Sequence, residues 1–280
     1  MTVTKLIRKR VEKPWGRTDL PAMFRADHDT GQPLGEIWFE HPAGEDVDLL
    51  VKYLFTSEKL SIQVHPDDEA ARQAGHKRGK DEAWVVLQAD SGATIGIGLR
   101  ERVTRDRLRQ AALDGSIEDL VDWRPAAAGD IYYSPAGTVH ALGPGLTLIE
   151  IQQNTDLTYR LYDYGRPREL HLDAGVRASR PQPYVAAACP YDFEEGREIL
   201  ADGQAFVLER WRSAVSATLT PAEDRPIWLV PVAGRGGIEG EALEPGDVWL
   251  ATGPATLSLE PRSELLVAYA GSRVQDRLIN

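Results

Sequence analysis

Two histidines, a glutamine and a glutamate are the residues of this sequence whose types could do chemistry together. In SIQVHPDDEAA (61–71) Ile62 and Val64 alternate with Ser61, Gln63 and His65, the period of a half-buried strand. Gln63 and His65 share a face two residues apart and can converge on one point. Glu82 opens the apolar run EAWVVL, where a carboxylate is costly to bury without a partner. A metal ion would be such a partner. His140 ends PAGTVH after a turn. Either imidazole alone reads as a hydrogen-bonded core histidine. The four residues together form a nitrogen and oxygen donor set that suits Zn²⁺, and Mn²⁺, Fe²⁺ or Co²⁺ almost as well. A neutral amide in place of a second carboxylate leaves such a site cationic, apt for polarising a substrate oxygen. His28, in the polar loop RADHDT, and His76, in the basic run GHKRGK, have no such company.

A second polar face follows. In LTLIEIQQNTDLTYR, Glu150, Gln152 and Asn154 alternate with Ile149, Ile151 and Gln153. Such a face meets either solvent or a cavity. TYRLYDYGRPREL then sets Arg160, Arg166 and Arg168 among three tyrosines. Arginines beside aromatics pair with phosphate or carboxylate, or pack on a surface. Lys80, two residues before Glu82, is either a solvated charge or a cation reaching the same cavity.

The elements that must position these residues are mostly strands. EIWFE (36–40), LLVKYLF (49–55), LSIQVH (60–65), EAWVVLQA (82–89), ATIGIGL (93–99), DIYYSPA (130–136) and LTLIEIQ (146–152) are short apolar runs with turns between them. Many strands with close turns predict a sandwich, barrel or jelly roll. Pro66 to Glu69 reads as a helix start and Gly75 as its stop. Thr104 opens a second helix that ends at Gly115, and Ser116–Asp119 resembles a capping box opening a third. The stretch 101–124 is thus expected to be a small helical insertion. GDIYYSPAG (129–137) is echoed by GDVWLATGP (246–254), and EAWVVLQADSGATI (82–95) loosely by PIWLVPVAGRGGI (226–238). Two copies of one β-unit follow, with the chemistry in the first alone. Leu257 falls at the offset of His140, and Pro226 stands where Glu82 would be. The segment 173–200, with its EEGRE, reads as the linker.

Composition sets the class. The chain has 280 residues, 42% hydrophobic and 27% charged, ordinary for a globular protein. A net charge of −11 argues against broad nucleic-acid or anionic membrane binding. A local basic pocket for a small anion stays compatible with that sum. The single Cys189 excludes an internal disulfide and a cysteine-rich metal site. The basic N-terminus has no apolar segment behind it and no run approaches spanning length, so a soluble cytoplasmic protein is expected.

SIQVHPDD, GKDEAW, SPAGTVHALG, EIQQNTDLTYRLYDYGR and the early PWG, in that order, resemble the type I phosphomannose (mannose-6-phosphate) isomerases in their short bacterial form, members of the cupin superfamily. The resemblance runs from about Trp15 to about Ala174; residues 190–280 resemble only the degenerate second cupin unit of such proteins. It implies a mainly β fold of cupin jelly-roll units, with a catalytic unit over 1–180 and a second unit over 190–280 that has no metal ligands. It also implies one Zn²⁺ held by Gln63, His65, Glu82 and His140. The family's catalytic arginine falls on Arg160 and its acidic residue on Glu150; Ser61 and Lys80 fall on substrate-holding positions, and Arg166 near a position that carries a basic residue. The sequence departs from the family at Asp81 (often Thr), Tyr164 (commonly Trp) and Arg17 (often Gly). Asp81 would add negative charge beside a phosphate-facing Lys80.

The reaction implied is the interconversion of mannose 6-phosphate and fructose 6-phosphate through a cis-enediol. Arg160 would stabilise the enediolate and Glu150, or a metal-bound water, would move the proton. Lys80 would take part in ring opening or hold the phosphate, with Arg160 and Arg166. No protein partner is evident. Two other classes compete. One is a different metal-dependent cupin enzyme, such as a dioxygenase using His65, Glu82 and His140. The other is a sugar-binding cupin without catalysis, which metal content would tell apart.

Overall fold

The computed structural model describes residues 2–27, 31–186, 189–194, 196–212, 214–223 and 225–279; His28 and part of EEGRE lie outside them. Among these residues the chain is mainly β, with four antiparallel sheets. The first large sheet has the order Ile7–Arg17, Leu34–Glu40, Leu49–Phe55, Leu146–Gln153, Glu82–Ala89, Ile131–Ser134. Facing it is a smaller sheet ordered Tyr159–Tyr162, Ile62–Val64, His140–Leu142, Thr94–Leu99, Val121–Pro125. Val3–Lys5, Trp249–Ala251, Ile227–Ala233, Glu264–Ala270, Phe206–Trp211, Arg197–Asp202 and Tyr191–Glu194 make the second large sheet. Its smaller partner is Val215–Leu219, Ala255–Leu259, Gly236–Ile238, Glu241–Leu243. Val3–Lys5 lies in the expected first unit by sequence, but pairs with Trp249–Ala251 because the Trp249 edge would otherwise stand open.

Alternation explains how the layers stack. In the first large sheet Val51, Tyr53, Ala83, Val85, Ile149 and Ile151 point outward and meet Leu208, Trp228, Val230 and Leu266 of the second large sheet in one core. The opposite face turns Leu54, Trp84, Val86 and Leu148 into the first sandwich. Both faces are thus buried, which is why these strands read as continuous apolar runs. The charged residues in them, Glu36, Lys52, Glu82 and Glu150, are all buried.

The helices follow the expected stops with one correction. Asp67 caps Asp68–Gln73 by accepting from Ala70 N–H at 2.9 Å. Thr104 caps Arg105–Asp114, and Gly115 ends it at φ 84°, the conformation a helix-terminating glycine supplies. The Ser116 capping box does not form: Ser116 is already helical, its N–H donates to Asp114, and its hydroxyl makes no bond within the short helix Ile117–Leu120. Residues 121–125 are strand, so the insertion is helical only over 105–114 and 117–120. These helices cover the outer face of the small sheet through Leu108, Ala111 and Ile117. No helix among the described residues is long and apolar enough to cross a membrane.

The two sandwiches share a connectivity, and pairing fixes the equivalence. Glu82 lies opposite Ser134 and Gln152, and Ile227 opposite Ala251 and Tyr269. Ile227, rather than Pro226, therefore stands in the place of Glu82. The tryptophans of the echo are not equivalent either: Trp84 points into its sandwich and Trp228 between the two. A one-residue slip in a strand exchanges its faces.

Candidate active site and metal centre

The small sheet sets three functional side chains in one row. Gln63 lies directly opposite His140 on one neighbouring strand and opposite Arg160 on the other. Cross-strand partners are the closest side chains a sheet can offer. The large sheet supplies a facing row, Lys52, Glu150 and Trp84, with Glu150 opposite both others. Trp84 meets the His140 ring edge-on at 5.2 Å between centroids.

His65, Glu82 and His140 converge between the rows. Among the described residues they are the one group of His, Cys, Asp or Glu side chains close enough to share a metal. Glu82 Oε1 lies 2.9 Å from His140 Nε2 and 3.4 Å from His65 Nε2. A tetrahedral site with bonds of about 2.0–2.1 Å holds its ligand atoms about 3.3 Å apart, so the spacing fits. Each Nδ1 faces a backbone carbonyl at 2.9 Å, that of Leu157 for His65 and Thr138 for His140. That contact fixes the proton on Nδ1 and leaves the Nε2 lone pair for a cation. His65 is held down to about 4 by burial and by Lys80, so its ring is neutral at neutral pH. Glu82 Oε1 is buried without a hydrogen bond, the orphan expected of a carboxylate built to meet a cation.

Gln63 completes the set. Its amide nitrogen is 3.3 Å from His140 Nε2, and its oxygen accepts from the Ser61 hydroxyl at 3.0 Å. A half-turn of the amide presents the oxygen to the same point.

Lys80 borders the group. Its ammonium is 2.6 Å from Glu82 Oε2, 3.2 Å from His65 Nε2 and 3.9 Å from Glu150 Oε1. Burial would lower its pKa, but Glu150 and Glu82 outweigh burial and raise it. Burial opposes ionisation of Glu82, yet the Lys80 ammonium holds its carboxyl well below the usual range. Glu150 receives Trp84 Nε1–H at 3.0 Å and Lys52 at 3.2 Å. Lys80 and Lys52 lower its pKa against burial, so it stays a carboxylate. The polar face of this strand meets a cavity and not solvent.

That cavity has a volume of about 200 Å³ and is bordered by Ser61, Gln63, Lys80, Glu150 and Arg160. Lys13, Trp15, Lys52, Asp156 and Arg168 line it as well. Arg160 donates to the Glu169 carbonyl at 2.7 Å while its buried Nε has no partner. Burial and the neighbouring Arg168 lower its pKa.

Arg166 is not brought to the cavity. Its guanidinium binds Asp163 and the Lys59 carbonyl, each at 2.8 Å, and stacks on Tyr164. Arg168 lines the cavity instead, held by Asp163 through two bonds of 2.6 Å. Asp81 also departs from expectation. Its carboxylate turns away from Lys80 toward Tyr133 and the Ala136 N–H, so it adds no charge to the cavity wall. Arg17 pairs with Asp19 and Asp90, outside the cavity lining. Lys52 and Glu36 went unnoticed in the sequence. Their signal was there: a charge in the middle of LLVKYLF and another in EIWFE.

No family model matches the chain. It is 34% identical over 236 residues to the mannose-6-phosphate isomerase of Streptococcus mutans, covering 78% of this chain and 74% of that one. The chain belongs to the mannose-6-phosphate isomerase family. Mannose-6-phosphate isomerase ManA of Bacillus subtilis is 32% identical over 262 residues, covering 85% and 82% of the two chains. A crystal structure of the Bacillus subtilis mannose 6-phosphate isomerase superposes with a TM-score of 0.81 at 28% identity, over 96% of this chain and 99% of that one. Phosphomannose isomerase from Salmonella typhimurium, at 15% identity and a TM-score of 0.75, shares the fold. Within the mannose-6-phosphate isomerase family, the cupin-type sandwich brings together Gln63 and His65 from one strand and its end, and Glu82 and His140 from two others.

Proposed function

We propose that this chain is a zinc-dependent aldose–ketose isomerase that interconverts mannose 6-phosphate and fructose 6-phosphate through a cis-enediol. One observation carries the reading. A buried His65–Glu82–His140 cluster, with Gln63 beside it, adjoins a cavity lined by both cations and a carboxylate. Zinc bound there would supply Lewis acidity toward a substrate oxygen.

The chain's own residues would do the rest. Glu150, ionised and fixed by Trp84 and Lys52, takes the proton from one carbon and returns it to the next. Arg160 faces the charge that develops on the enediolate oxygen; a fixed guanidinium in a site shielded from water stabilises it strongly. Lys80, an ammonium between Glu82 and Glu150, donates during ring opening. Arg168 and Lys13, with Lys52, offer the phosphate its cations. Ser61, 3.0 Å from the Gln63 amide, can accept from its nitrogen once the oxygen turns to the metal, and so orients it. The division into a catalytic first sandwich and a second without metal ligands belongs to this proposal, as does action in the cytoplasm.

Chelation of the purified chain should abolish isomerisation, and added Zn²⁺ should restore it. His140→Ala should fail to retain metal. Full activity of that variant after metal stripping would reject the zinc role. Oxygen consumption without isomerisation would favour an oxygenase.

A further inference from the structure

Asp81 stands between two residues of the site and faces the other way. Lys80 and Glu82 turn into the first sandwich; Asp81, one position off in a period of two, turns toward the second. There its carboxylate accepts from the Tyr133 hydroxyl and, at 2.8 Å, from the Ala136 N–H. Its backbone is tied as well. Asp81 N–H donates to Gln153 Oε1 at 2.9 Å, and Gln153 N–H donates to the Asp81 carbonyl at 3.1 Å. The Gln153 amide nitrogen donates to Asp68 Oδ1 at 3.0 Å, and the Gly79 N–H donates to the same oxygen at 2.8 Å.

Tyr133 is the link to the second sandwich. It is buried, its backbone pairs with Ala83, and its ring meets Phe206 edge-on at 5.4 Å. The turn before Phe206 presses on the phenol: a Cβ on Gly203 would lie 1.8 Å from the tyrosine oxygen. Only glycine allows that approach. Beside the packing of Ala83 in the shared core, the second sandwich thus presses on the tyrosine whose hydroxyl binds the residue before Glu82.

We propose that Tyr133 and Asp81 are positioning residues through which the second sandwich holds Glu82 in the orientation that accepts the metal. This rests on the metal reading above. It gives the second sandwich a role beyond covering apolar surface. A ligand carboxylate must be held within about 0.5 Å by its supports, and loss of such supports typically weakens metal binding about 10- to 100-fold.

The test uses metal-stripped full-length chain and measures Zn²⁺ affinity by competition with a chromophoric chelator. Tyr133→Phe keeps the ring against Phe206 and removes only the hydroxyl. Tyr133→Phe and Asp81→Ala should each bind Zn²⁺ about 10- to 100-fold more weakly, with activity restored by excess metal. The double variant should be no weaker than the weaker single, since the pair acts as one unit. Asp81→Asn keeps an acceptor for the hydroxyl and should recover most of the affinity. A merely structural pair would lower the melting temperature and leave affinity within threefold of the unaltered chain; that result, or losses that add, overturns the proposal. No zinc uptake by the unaltered chain would sink the metal reading itself.

Discussion

Glu150→Gln isolates the proposed proton transfer from everything else Glu150 does. The substitution is isosteric and its carbonyl can still accept from Trp84 Nε1, now 3.0 Å from Oε2. Lys80 keeps Glu82 at 2.6 Å, and Lys52 keeps Glu36 at 3.9 Å and the Trp38 ring at 4.6 Å. The structural loss is then one charge-assisted bond, about 1.5–3 kcal/mol, a few degrees of melting temperature and no change of fold. Glu150 is not part of the His65–Glu82–His140 group, so zinc content should not change. Catalysis should fall much further. Proton transfer by a positioned side chain contributes about 10²- to 10⁴-fold, equivalent to about 3–5 kcal/mol of barrier. A coupled assay for fructose 6-phosphate should show kcat reduced by that factor with KM nearly unchanged. Exchange of the C2 hydrogen with deuterated solvent should fall in parallel. A variant that folds, holds zinc and retains kcat within threefold would refute the assignment and leave a metal-bound water as the base.

Three further substitutions have defined outcomes. Arg168→Ala should raise KM for the sugar phosphate about 10- to 100-fold, the worth of a charge-assisted bond of about 1.5–3 kcal/mol. Arg166→Ala, whose guanidinium is spent on Asp163 and Lys59, should change KM less than threefold; the reverse ranking in steady-state kinetics would restore Arg166 to the cavity. Arg197→Met should destabilise the chain by about 3–5 kcal/mol in urea unfolding. It strands Glu209, which is fully buried and bound by Arg197 at 2.7 and 2.8 Å, and zinc affinity should stay unchanged. A loss under about 1 kcal/mol would mean that Tyr269 and Trp211 satisfy Glu209 on their own.

The Arg197–Glu209 pair has a counterpart in the first sandwich. By strand pairing Glu209 stands where Lys52 stands, and Arg197 where Glu36 stands. The charges are exchanged and closed on themselves, with Tyr269 capping them. Ile227, fully buried, stands in the place of Glu82.

Much of this was legible in the sequence because it is local. Period two sets Gln63 beside His65 and opposes both to Ile62 and Val64. Asp67, Thr104, Gly75 and Gly115 mark helix ends through bonds to residues at most a turn away. The order of the motifs carried the family. Ser116 misled because its backbone conformation, and not its residue type, decides whether it can cap.

The tertiary structure decided what alternation alone leaves open, namely which face of a strand is the inside. Glu150 could have met solvent, and Trp228 could have matched Trp84; the packing of the two large sheets settles both, burying one face of the Glu150 strand and leaving the other to the cavity, and turning Trp228 into the shared core. Neither choice is encoded within one strand. It comes from packing partners more than fifty residues away, and the same packing brings His140 opposite Gln63, Arg168 ahead of Arg166, and Tyr133 against Asp81.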